Sequence, residues 1–486
     1  MRPIPVGGRL KPLCGSDVQS ILTAAFEILE RIGIADSPGW LSTALIHRGA
    51  QRRDDGRIIF PRSHVEAALG RAAKVVSLPG YIEDRGIEIG GGRVHVGSGG
   101  AAVQVLDAAT AAFRESTLAD LHDLMRVLDV CPNIHYGVRP VVARDMTAPR
   151  DLDINTAFAS LKGTSKPIGV SFDNAGHVEP VTDLFDMALG EPDAFRRQPF
   201  CMAIIVHAVS PLRYAPEGVE IIRAAIDCGM PLQICTAGQA GATSPASLAG
   251  ALAQGLAESL AGMMVVNAIR PGHPCIFAFM PFISDLRTGA MSGGGGEAAI
   301  ANAAAAQLLR ELNLPSTVSA GMTDSKIADA QAGYEKGYTV ALAAHAGADM
   351  INLSVGMLGS IMVASPEAMV IDDEMCGAIL RSVRGVDISG GSIDLDVIEA
   401  AVTGDGHYLG QPQTLALMKT EYVYPMLGDR QSVADWMDGG SRSIWERARD
   451  RVKEIMADPP QHLPAAAEQR IRERFDIRLD AGRALA

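Results

Sequence analysis

The chain has 486 residues, of which 48% are hydrophobic and 20% charged, and 43 basic against 56 acidic side chains leave a net charge of −13. Wholesale disorder is excluded, and the acidic balance argues against a nucleic-acid or anionic-membrane binder, whose footprint is basic. Length alone suggests about three domains, although an α/β barrel often exceeds roughly 200 residues as one unit. Seven scattered cysteines with no C-x-x-C predict a reduced, cytoplasmic protein without a disulfide framework or structural zinc. The N-terminal MRPIPVGGRLKPL shows no apolar core of signal-peptide length. The charge-free stretch 228–257 is broken by Pro231 and Pro245 and does not read as a membrane span.

Residues 1–115 read as an N-terminal α+β subdomain. Ile21, Leu22, Ala25, Phe26, Leu29 and Ile32 recur at helical spacing and predict a helix over 16–32, with Gly33 as its stop. Short strands are expected at 57–60 and 74–79, and EIGGGRVHVGSGG at 88–100 reads as a tight hairpin.

From 116 to 385 the texture alternates. Strand-like runs lie at 133–142, 166–172, 200–209, 231–236, 274–282, 315–321 and 350–355. Helical runs fall near 150–162, 178–189, 216–228, 245–269, 297–312 and 326–347, and a last helix at 366–384 has a weak strand or none before it. Continuously apolar strands alternating with helices predict a parallel sheet, and seven or eight such units match a closed (β/α)₈ barrel. No G-x-G-x-x-G opens a helix, and the P-loop and G-x-S-x-G signatures are absent. Residues 386–486 read as a C-terminal helical extension packed on the barrel, with helices at 393–402 and 441–456 and a stop at Pro459 and Pro460.

In such a barrel the chemistry sits at the C-terminal ends of the strands. That rule places Asp173 and Asn174, His207, Gln239, Phe282 with Asp285, and Asn352 with Ser354 near the mouth. The densest polar junction is GMTDSKIADAQAGYEK at 321–336, which holds Asp324, Lys326, Asp329, Gln331, Tyr334 and Glu335. Helix capping accounts for part of this cluster. The four glycines of SGGGGEAAI at 292–300 suggest a mobile lid, an anion site at a helix N-terminus or a flexible connection. Phe277, Phe279 and Tyr334, with Tyr136, Phe172 and Phe282, could form an aromatic cage for a quaternary ammonium or serve as ordinary core. His207, Cys235 and Cys275 are not expected to converge on a metal.

Several segments carry a family likeness: IEIGGGRVHVGSGG (87–100), VLDAATAAFRESTLADLHDLMRVLD (105–129), PNIHYG (132–137), SDLRTGAMSGG (284–294), AGMTDSKIADAQAGYEK (320–336), DDEMCGAILRSVRGVDI (372–388) and HYLGQPQTL (407–415). In this order they resemble the trimethylamine methyltransferase family, the corrinoid-dependent methyltransferases, over nearly the whole chain. The resemblance implies a (β/α)₈ barrel with added terminal elements. It also implies methyl transfer from a methylated amine to the Co(I) of a corrinoid carried by a separate small protein that docks at the barrel mouth. Archaeal members that use trimethylamine carry pyrrolysine, whereas this chain has only standard residues. A quaternary amine of the glycine betaine kind is therefore the expected donor.

The expected catalytic set is Asp324, Lys326, Gln331 and Glu335, with Lys326 meeting a betaine carboxylate. The expected substrate contacts are Asp173, Asn174, His207, Gln239, Phe277, Phe279, Tyr334 and Asn352. Asn352 stands where many relatives have His. Asp372, Asp373 and Glu374 suit either a cation contact or a solvated helix start. No tightly bound metal, nucleic acid or membrane partner is expected, and a homo-oligomer is. Two other readings remain: methyl transfer from another donor or to a folate or thiol, and a non-catalytic small-molecule-binding barrel.

Overall fold

A computed structural model describes residues 4–108, 110–388, 392–458 and 460–480. At its centre eight parallel strands form one sheet: β1 (His95–Val96), β2 (Gly137–Val138), β3 (Ile168–Val170), β4 (Cys201–Val206), β5 (Leu232–Thr236), β6 (Cys275–Phe279), β7 (Ser316–Ser319) and β8 (Met350–Asn352). Each strand is followed by a helix: α1 (Leu118–Val130), α2 (Pro149–Gly163), α3 (Val178–Leu189), α4 (Pro216–Asp227), α5 (Leu248–Ile269), α6 (Gly296–Glu311), α7 (Ala330–Ala346) and α8 (Pro366–Arg384). The sheet curls until its outer strands meet. β8 pairs with β1 through Met350–His95, and a parallel bridge joins Gly97 to Tyr136 at the entry to β2. The protein is a (β/α)₈ barrel.

The sequence locates seven of the strands and the helices from α2 to α8 to within a few residues. The eighth strand departs from that reading. It does not precede the helix at 366–384 but lies at His95–Val96, inside the segment read as a hairpin. Ile87–Ile89 turns back onto Val76–Leu78 instead, so the glycines at 90–92 change partner sheets rather than fold a hairpin. The barrel thus takes its first strand from ahead of residue 116. Asp349 fastens this strand's entry. Its carboxylate accepts the Gly92 amide at 2.7 Å and the Ser316 amide and hydroxyl at 2.8 Å each.

The hairpin Val76–Leu78/Ile87–Ile89 plugs the barrel floor. Its Val76, Leu78, Ile87 and Ile89 pack with Met202, Ile276 and Met350 in one buried cluster. Helix α5 is apolar on all sides, because the helices Gly15–Glu27, Gly39–His47 and Arg62–Arg71 cover its outer face. It is long and apolar enough to cross a membrane, yet 89% of its apolar window is buried inside the fold. The helix Ile444–Ala457 packs on α8 and α1. Pro459, one of the two expected stops, lies outside the described residues.

Candidate active site

Strand alternation decides which side chains enter the barrel. Tyr136, Val138, Met202, Ile204, Ile276 and Met350 share the interior cluster, so Val206 and Asn352, two residues further along their strands, stand on the interior face nearer the mouth. Val206 is 54% exposed although it ends a central strand, which shows that the interior is open above it. The lining is largely apolar, with Gln233 and Thr317 touching deeper down at 3.4 Å.

Asn352 is buried at the end of β8. The Tyr136 hydroxyl lies 2.9 Å from the Ile351 carbonyl and also donates to Asn352 Oδ1. The pairing fixes the amide's orientation and leaves its NH₂ group without a partner among the described residues. Burial holds the Tyr136 hydroxyl far above its usual pKa, so it remains a donor. Gly97 makes this close seam possible, because a Cβ there would stand 2.2 Å from the Tyr136 ring.

Above the strands the loops form a collar. Gln239–Ala240 pairs with Phe282–Ser284, which pairs with Met291–Ser292. Ser292 Oγ and the Gly293 amide donate to Asp324 at 2.9 and 2.8 Å. The Ser360 hydroxyl donates to the same carboxylate. The Gly359 and Ser360 amides reach the Ser325 and Thr323 carbonyls at 2.7 Å. Met357–Leu358 and Val363–Ala364 then join Gln104–Asp107 and Ala112–Glu115 in a four-stranded sheet. The loops from β5 round to β1 are therefore linked.

Asp324 is the hinge pin of this collar. Burial by itself would raise its pKa, but the hydrogen bonds from Ser360, Gly293 and Ser292 outweigh burial and hold it below the ordinary range. Glu335 is buried beneath it and accepts Thr323 Oγ1 at 2.5 Å, the Asp324 amide at 2.8 Å and Gln331 Nε2 at 2.9 Å. A Cβ at Gly294 would strike the Glu335 carboxyl at 2.3 Å, and the Tyr338 hydroxyl donates to the Gly294 carbonyl. The glycine loop is thus pinned on three sides rather than free as a lid. The anion at the turn before α6 is the protein's own Asp324.

Asp324, Gln331 and Glu335 therefore come together as a loop-fastening network. Lys326 sits beside them but is exposed, its ammonium 2.7 Å from the Asp324 carbonyl. Tyr334 is exposed on the outer rim. Asp173 and Asn174 lie exposed after β3, where Asn174 caps the short helical turn Ala175–His177. Gln239 is half-buried in the collar.

Three residues do not reach the mouth. His207, Phe277 and Phe279 face the helix layer. His207 Nε2 donates to the Glu258 carbonyl of α5 at 3.0 Å, and burial pulls its pKa down to about 4. Phe279 packs against Gly255 of α5, and Phe277 is 2% exposed in the main core. Phe172 is in the same core, so no aromatic cage assembles from these rings. The reason is parity: alternate residues of a strand face opposite sides, and these fall on the outer one.

Lys336 and Arg139, both at the mouth, escape sequence reading. Lys336 and Asp372 form a buried ion pair, 2.6 Å apart, that clasps the loop after β8; Asp372 accepts the Gly356 amide at 2.8 Å and Lys336 reaches the Ser354 carbonyl at 3.3 Å. Asp372 is therefore held by a cation of the protein itself and is not a solvated helix start. Arg139 follows β2 directly. Its Nε is buried without a partner and it makes no ion pair among the described residues, with Asp153 its nearest influential carboxylate. Asp153 itself accepts the Asp173 amide at 2.9 Å and lies 2.6 Å from His177 Nδ1.

A parallel (β/α)₈ barrel with an open, largely apolar interior and a tied collar of loops is the class of protein these features define. The particular family follows from comparison. Residues 3–481 match the trimethylamine methyltransferase family, and the chain belongs to it. It is 29% identical to the glycine betaine methyltransferase of Desulfitobacterium hafniense strain Y51, covering 96% of each chain. It is 27% identical to a trimethylamine methyltransferase of D. hafniense strain DSM 10664 / DCB-2, over 92% of this chain and 90% of that one. Among solved structures, the monomethylamine methyltransferase of Methanosarcina barkeri shares the fold, with a TM-score of 0.50 at 13% identity over 90% of this chain and 87% of that one.

Proposed function

We propose that this methyltransferase-family protein takes a methyl group from a quaternary amine of the glycine betaine kind and delivers it to the corrinoid of a partner protein at the barrel mouth. The observation that carries the reading is the likeness to a glycine betaine methyltransferase over 96% of both chains. The interior supports it. A quaternary ammonium needs no proton to become a leaving group, since it departs as a neutral amine. An apolar pocket that strips water from the cation raises its tendency to lose a methyl group. Val138, Ile204 and Val206 supply that surface, and Asn352 supplies an orienting donor.

A cobalt(I) corrinoid, when docked, supplies the nucleophile for the methyl carbon. The collar supports such docking, because Phe113, Leu286, Ile327, Tyr334 and Met362 are exposed apolar side chains on its loops. This chain's part is to bind, orient and dehydrate the amine with one methyl facing out. Arg139 and Lys326 are the cations near the rim that a substrate carboxylate would meet. Lys326 is tethered to its own loop, so Arg139 is the stronger partner.

The test is calorimetric titration with glycine betaine, carnitine, proline betaine, choline and trimethylamine, followed by demethylation assays with reduced corrinoid. Binding and demethylation of one quaternary amine, with no response to trimethylamine, is the expected result. Turnover of trimethylamine alone would overturn the substrate class.

A further inference from the structure

Residues 386–388 and 392–444 form an arm beyond the end of α8. It runs back past Glu421, whose carboxylate pairs with Arg381, and past Met426 and Gly428, whose amides donate to Glu374. Within this arm only Ala401 and Leu427 are buried among the described residues. Of the thirty-one exposed large apolar side chains described, seventeen lie here.

The helix Leu395–Thr403 shows the pattern most clearly. Leu395, Ile398 and Val402 are spaced to form one apolar stripe, and they are 71%, 44% and 73% exposed. The stripe faces away from the protein's own body. Leu409 at 78% and Val433 at 75% continue the surface. Isolated apolar residues on a surface are ordinary, but a concentration of this size is not.

We propose that this arm is the surface by which two copies of the chain associate, arm against arm about a two-fold axis. The area argues for a copy rather than a transient partner. At roughly 100 Å² for each side chain, the arm presents about 1,700 Å² of apolar surface per protomer, whereas a standard interface takes about 800 Å² from each partner. Areas of this class belong to permanent, largely apolar interfaces. A surface that must be covered at all times requires a partner made in equal amount, and a second copy always meets that condition. The acidic Asp396 and Glu399 lie off the stripe of Leu395, Ile398 and Val402, so two stripes can meet with the charges at the rim.

The experiment is sedimentation velocity with the purified full chain at micromolar concentration. The expected result is a dimer or an even-numbered assembly. The variant Leu395→Lys/Val402→Lys/Leu409→Lys should sediment as a monomer with an unchanged circular dichroism spectrum. The control Ile46→Lys/Val75→Lys, at exposed sites elsewhere, should keep the wild-type mass. A monomeric wild type would overturn the proposal and assign the arm to a different protein. A folded triple variant with the wild-type mass would also overturn it. Hydrogen exchange of the unaltered protein gives a reading that needs no variant: amides of 395–403 should be at least tenfold protected over the free helix, and exchange at the free-peptide rate refutes the contact.

Discussion

Replacing Lys336 by Met should cost the folded protein about 3–4 kcal/mol at pH 7. Lys336 and Asp372 are 2% and 4% exposed, and the ammonium is the counter-ion of Asp372. Burial already raises the Asp372 pKa from its ordinary 3.8, even with Lys336 in contact. Without the ammonium the carboxyl takes up a proton. Protonating an ordinary carboxyl at pH 7 costs about 4.4 kcal/mol, which caps the electrostatic loss. An unfolding entropy of about 1 kcal/mol/K follows for a chain of this length, so the apparent Tm should fall by about 3–4 °C at a fixed scan rate.

The pH dependence provides the signature. In Lys336→Met the folded state binds a proton that the unfolded state releases near neutral pH, so the variant loses stability relative to wild type as pH rises, by up to about 1.4 kcal/mol per unit. Differential scanning calorimetry between pH 5.5 and 7.5 would measure this. The double variant Lys336→Met/Asp372→Asn keeps an acceptor for Gly356 without the charge, and should recover most of the loss. A single variant melting within 1 °C of wild type at every pH would refute the reasoning.

Asp373 offers a second titration. Burial raises its carboxyl to about 6, against hydrogen bonds from Asn133. Its folded pKa lies above the unfolded value, so the folded state binds the proton first and stability falls as pH climbs from 4 through 6. Urea denaturation of wild type and Asp373→Asn at pH 5 and 7.5 should show wild type losing about 1.4 kcal/mol relative to the variant. Gly97→Ala should displace the Tyr136 ring, lower the melting temperature and abolish amine binding, whereas Ser77→Ala on the exposed face of the floor hairpin should leave both unchanged. Asn352→Leu should raise the KM for the quaternary amine at least tenfold with a small change in Tm. An unchanged KM would remove Asn352 from the substrate's surroundings.

The seven strand–helix repeats from Tyr136 to Arg384 are legible in the sequence because their cause is local. A strand buried on both faces reads as a continuous apolar run, and Val178–Leu189 or Pro216–Asp227 reads as an amphipathic helix from its own spacing. The segment around Asp324 and Glu335 stands out in the sequence for a similar reason, since more polar residues gather there than capping requires. Helix-start chemistry hides the role of Asp372, whose partner Lys336 lies 36 residues earlier.

What the sequence by itself determined is the fold class, the family and the loop cluster at the mouth. Only the tertiary structure decided the rest. The eighth strand is two residues long, too short to carry a pattern, and its pairing with Met350 across more than half the chain is what makes it part of the barrel. Alternation says that Phe277 and Phe279 share a face with each other but not which face, so their burial against α5 appears only once the sheet closes. The outward stripe of Leu395–Thr403 is likewise visible as amphipathicity, but that it points away from the body is a fact of packing.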